Sequence, residues 1–158
     1  MGREDGRLTV VVSGESALPA TARRPDLYER AVRSAFASTA KGRRLAGEVT
    51  VVFLTRSEML RMNRHYLGHD YDTDVISFAH DLPAGMKRAK DMPLGDVFVS
   101  AWMARKQAKE LEHSVLEEAA TLVVHGALHL LGHDDHSAKD KARMFKAQDA
   151  LVSALKLR

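Results

Sequence analysis

The chain contains no cysteine among its 158 residues. No disulfide can form, and a structural zinc site built on thiolates is excluded. Proline and glycine are also sparse, 4 and 10 respectively, while 45% of residues are hydrophobic and 28% charged. That composition excludes low complexity and disorder and favours one folded core. No apolar run approaches the length of a bilayer span, and the opening MGREDGRLTV lacks the hydrophobic centre of a signal peptide. The expectation is a cytoplasmic protein with no membrane partner. Excess charge is small as well: a net +3 permits a polyanionic partner without demanding one. The basic clusters Arg23-Arg24, Lys41 to Arg44 and Lys87 to Lys90 read as solvated surface.

Apolar patterning predicts alternating strands and helices early in the chain and helices alone late. RLTVVVS reads as a strand buried on both faces, and PDLYERAVRSAFASTA as a helix with Pro25 in its first turn and Gly42 past its end. GEVTVVFL is a second strand, and RSEMLRMNRHYL a second helix that ends before the loop GHDYD. TDVISFA and LGDVFVSA are two more strands, separated by a polar linker from His80 to Pro93. From Trp102 onward the pattern is helical: one helix to Leu111, one from Ser114 to Leu131, and one from Ala138 to Lys156. The predicted fold is α+β, a single four-stranded mixed sheet covered by about five helices.

Chemistry concentrates in HGALHLLGHDDH, residues 125 to 136. His125 and His129 are four apart, which places two imidazoles on one face of a helix. That helix is apolar enough to be buried, and a capping box of Ser114 and Glu117 starts it. Gly126 costs a helix about 1 kcal/mol against alanine, which implies close approach of another backbone or a ligand. Gly132 stops the helix, and the chain then supplies His133, Asp134, Asp135 and His136, so a third metal ligand has several candidates. The zinc-peptidase pattern HExxH requires a glutamate next to the first histidine, where this chain has Gly126. Glu118, two turns before His125, is either a supporting partner or a buried ion pair.

The layout H-x3-H-x2-G-x2-[H or D] resembles metzincin-like zinc hydrolases, and its specific form HGALHLLGHDD is similar to the YbeY family of bacterial endoribonucleases. Two further segments share the likeness in the same order. MNRHYLGHDYDTDVISF, from Met62 to Phe78, resembles LNxxYRxxDxxTDVLSF, and LGDVFVS, from Leu94 to Ser100, resembles LGDIxIS. The resemblance implies one domain over residues 1–158, with a metal site at the end of its central helix. It implies one Zn2+ on His125, His129 and Asp135, the last replacing the histidine of most members as in a minority branch. It also implies cleavage of single-stranded RNA in maturation of the small-subunit rRNA 3′ end and in ribosome quality control, with ribosomal RNA or the small ribosomal subunit as partner.

One departure stands out: Leu67 occupies the place of the motif's arginine. Arg61, Arg64, His65 and His69 are the nearby sources of positive charge. Asn63 and Tyr66 match the motif and are expected to hydrogen-bond or pack, Thr73-Asp74 to start a strand, Ser77 and Phe78 to edge the cleft, and Asp96 to sit in a turn. The competing functions are a non-catalytic, metal-stabilised ribosome-assembly factor and, last, a zinc peptidase with an unusual base.

Overall fold

A computed structural model describes residues 7–82, 85–86, 89 and 91–157. Apart from Ala89, the basic run at 87–90 lies outside the described residues. Strand β1 (Leu8–Ser13) pairs in parallel with β2 (Gly47–Leu54), β2 pairs in parallel with β4 (Pro93–Ser100), and β3 (Val75–Ala79) runs antiparallel to β4. The result is a four-stranded mixed sheet in the order β1-β2-β4-β3. Among the described residues six α-helices accompany it: α1 (Pro25–Ala37), α2 (Ala40–Arg44), α3 (Arg56–Met62), α4 (Ala101–Leu111), α5 (Val115–Leu130) and α6 (Ala138–Leu155). The α+β class and the mixed sheet agree with expectation.

Alternation sets the two faces of the sheet. Val49, Val51 and Phe53 of β2 are buried together with Val97 and Val99 of β4, in one core with Val32 and Phe36 of α1 and Val123 and Ala127 of α5. Helix α5 packs on β3 and β4 and is flanked by α1, α4 and α6. Gly126 lies tight against the sheet: a Cβ there would lie 2.4 Å from Val97 Cγ1 and 3.0 Å from Ser77 Oγ. The sheet, rather than a ligand, is what this glycine admits. At the far end Gly132 adopts φ +96°, the left-handed conformation that ends the helix and turns the chain back.

Several boundaries differ from the sequence reading, each for a local reason. β1 is an edge strand, so its apolar run is only half-buried and Val11 remains 41% exposed. The first helix ends at Ala37, because Thr39 accepts a hydrogen bond from the Gly42 amide and starts the short α2. Gly42 lies inside α2, against the Phe36 carbonyl, where a Cβ would sit 2.1 Å away. The predicted helix through Leu67 is α-helical to Met62 and continues as a π-helical turn (Asn63–Leu67) closed by Gly68 at φ +68°. Ser114 caps α5 through the Glu117 amide, but the Glu117 carboxylate turns to His113 and leaves the expected capping box half made. Thr55 and Glu58 form a complete one at the start of α3. Asp96 lies within β4 and contacts His80, 2.7 Å away, so it is no turn residue.

Candidate metal centre

The buried stripe of α5 delivers His125 and His129 to the same side of the helix one turn apart, and the Gly132 turn returns Asp135 toward them. The two Nε2 atoms are 3.2 Å apart, and Asp135 Oδ2 is 3.9 Å from each. One donor atom from each of the three residues falls within a 4.8 Å cluster, the one such group among the described residues. His136 lines the adjoining cleft without joining it. His133 contributes its carbonyl rather than its ring.

Both imidazoles are held from behind. His125 Nδ1 donates to Gln148 Oε1 on α6 at 2.7 Å, and His129 Nδ1 donates to the His133 carbonyl at 3.0 Å. With each ring's proton placed on Nδ1, the two Nε2 lone pairs face each other and the carboxylate. Burial, reinforced by the neighbouring His125, holds the His129 imidazole below its ordinary pKa and favours the neutral form that ligates. Two lone pairs and a carboxylate pointing at one spot repel one another unless a cation lies among them. The 3.2 Å separation is also close to the roughly 3.3 Å edge of a tetrahedron with metal–nitrogen bonds of about 2.0–2.1 Å. The donor set fits a divalent metal.

Gln148 escaped the sequence reading, although a signal exists. It is buried on the inner face of α6 with Met144 and Leu155, and a glutamine in such a stripe needs a polar partner. Glu118 turns to His113 and not to the metal cluster: it is 4% exposed and its Oε1 sits 2.7 Å from His113 Nε2, with burial raising its pKa. Asp74 precedes β3 and accepts from the Val75 amide and from Gln107, as a strand-starting residue does. Ser77 donates to the Gly126 carbonyl, tying β3 to α5 beside the two histidines. Asn63 is buried and donates to the Tyr71 carbonyl at 2.7 Å, while its Oδ1 has no hydrogen-bond partner. Tyr66 is 61% exposed, so it is no core residue. It packs edge-on against Phe78, and both line a hollow beside the metal cleft.

The cleft itself has a volume of about 580 Å³, and His129 and His136 open onto it opposite Leu67, His69 and Tyr71. Arg64 is engaged with Asp70, so it brings no unpaired charge to the position of Leu67. A second hollow of about 430 Å³, between α4, α5 and α6, reaches His125 and Gln148 from the other side.

Comparison with known proteins agrees with the motifs. The family model described as Endoribonuclease YbeY matches residues 19–156. The chain is 37% identical to Endoribonuclease YbeY of Elusimicrobium minutum, covering 80% of this chain and 85% of that one. It is also 37% identical to Endoribonuclease YbeY of Bacillus subtilis, covering 78% and 82% respectively. A solution structure of TM1509 from Thermotoga maritima shares the fold, with a TM-score of 0.58 at 23% identity over 94% of this chain and 88% of that chain. Matched over nearly its whole length, and carrying all three motifs in order, the chain belongs to the YbeY family.

Proposed function

We propose that this chain is a metal-dependent endoribonuclease, a single domain over residues 1–158, that cuts single-stranded RNA during maturation of the small-subunit rRNA 3′ end and in ribosome quality control. Zn2+ is the assigned ion and the cytoplasm the assigned compartment. Ribosomal RNA or the small subunit is the assigned partner. The observation that carries this reading is the convergence of His125 Nε2, His129 Nε2 and the Asp135 carboxylate, with both Nδ1 protons committed elsewhere.

These three residues would hold the metal, and a metal so held supplies Lewis acidity toward a phosphoryl oxygen and activates water for hydrolysis. The chain's own groups do the rest. Gln148 and the His133 carbonyl fix the two rings, Ser77 fixes the cleft wall against α5, and the recess admits a phosphodiester without a partner strand. A peptidase is disfavoured: the position of the HExxH glutamate is Gly126, where even a Cβ meets Val97.

The test incubates purified protein with single-stranded and duplex RNA, with zinc, with chelator, and with zinc restored. Cleavage of the single strand alone, abolished by chelator and by His129→Ala, is expected. A second reading, a metal-stabilised assembly factor that cuts nothing, draws on Leu67 in place of the motif's arginine. It predicts that His129→Ala lowers thermal stability and ribosome association together, with no RNA product at any protein concentration.

A further inference from the structure

The loop between the π-helical turn and β3 forms one wall of the cleft onto which His129 opens. The loop carries His69 and Tyr71, and the two rings stack with centroids 4.9 Å apart and planes inclined by 17°. The Tyr71 hydroxyl lies 2.9 Å from His69 Nδ1. Tyr71 is nevertheless 56% exposed, so the pair presents aromatic surface to solvent.

The pair is firmly held. Asn63 Nδ2 donates to the Tyr71 carbonyl at 2.7 Å, and the His69 amide donates to the Asn63 carbonyl at 3.3 Å. Arg64 pairs with Asp70 on one side of Tyr71, and Arg56 pairs with Asp72 at 2.8 Å on the other, with the Arg56 guanidinium lying over the Trp102 ring. A buried amide, helped by two surface ion pairs, thus tethers a loop that carries an exposed tyrosine. Pre-ordering of this kind lowers the entropy cost of binding. Those arginines are matched by the loop's own carboxylates, and among the described residues lining the cleft there is no lysine or arginine. Attraction for a strand here must come from ring faces more than from charge.

We propose that the His69–Tyr71 stack is a nucleobase platform, on which one unpaired base of the RNA lies while the adjoining phosphodiester faces the metal centre. The proposal rests on the endoribonuclease reading for the identity of the ligand. Every base has a stacking face, so the platform tolerates sequence but requires an unpaired nucleotide.

The test measures fluorescence anisotropy of a labelled short single-stranded RNA, with chelator present so that the strand stays intact. Tyr71→Ala should weaken binding by roughly tenfold or more, and Tyr71→Phe should stay within about twofold of the wild type. A strand of the same length lacking its bases should bind the wild type as poorly as the intact strand binds Tyr71→Ala, and the salt dependence should correspond to fewer than about two phosphate contacts. Equal binding by Tyr71→Ala and wild type, equal binding of intact and abasic strands, or no binding by the wild type would each overturn the platform. Zinc-loaded cleavage of the same RNA, run in parallel, separates the two ideas. Cleavage without Tyr71-dependent binding refutes the platform alone, whereas Tyr71-dependent binding without cleavage supports the platform and removes the enzyme reading.

Discussion

Gly126 and Gln148 each serve the site without touching what it binds. Adding a methyl group at 126 places it 2.4 Å from Val97 Cγ1, and overpacking of this kind costs about 1–3 kcal/mol, against about 1 kcal/mol gained in helix propensity. Gly126→Ala should therefore lower the urea midpoint; an unchanged midpoint would show that β4 yields freely. Gln148→Leu removes the acceptor of the His125 Nδ1 proton and should weaken zinc affinity by about 10–100-fold. Gln148→Glu, which keeps an acceptor, should weaken it less; competition with a chromophoric chelator measures both. Glu118 gives a pH signature of its own. Burial raises its pKa in the folded state, so the native protein binds more protons there than the unfolded chain, and stability falls as pH rises above the ordinary carboxylate value near 4.5. Glu118→Gln should melt higher than wild type near neutrality, with the difference shrinking toward about pH 4; a constant difference would assign the effect to packing.

Helix starts and stops were the most legible elements, because they are written in one or two residues. Ser114 and Gly132 bound α5 much as the pattern predicts, α6 starts at the expected Ala138, and the two-histidine face of α5 follows from spacing alone. Strand position within the sheet was not legible. β1 reads as fully buried yet lies at an edge, since an apolar run carries no information on which neighbours it will have. The π-helical turn was also invisible: Asn63 to Leu67 has ordinary helical composition, and the bond from Asn63 to the Tyr71 carbonyl that accompanies the turn is made only in the folded chain. Of the candidate centre, the histidine pair was readable from its spacing, whereas Asp135 was singled out among the residues after the helix stop only through the family resemblance, and the Gln148 contact joins residues 23 apart in sequence. The capping box of α3 starts the helix that leads into this cleft wall, and Thr55→Ala should cost about 1 kcal/mol and lower the melting temperature.

At the scale of the molecule, one side of a mixed sheet positions a single buried helix, and that helix together with the turn behind it brings three donors together beside a cleft onto which His129 opens. A metal bound only by the folded state must stabilise it, by about 2.7 kcal/mol at a free concentration near 100 times its dissociation constant. Zinc should therefore raise the melting temperature of the wild type and leave that of His129→Ala unchanged. The most direct measurement is anomalous scattering at the zinc edge from a crystal grown with zinc. A single strong peak is predicted within bonding distance of His125 Nε2, His129 Nε2 and an Asp135 oxygen. No peak between the two imidazoles, or an ion there held by His136 while Asp135 points away, would contradict the assignment.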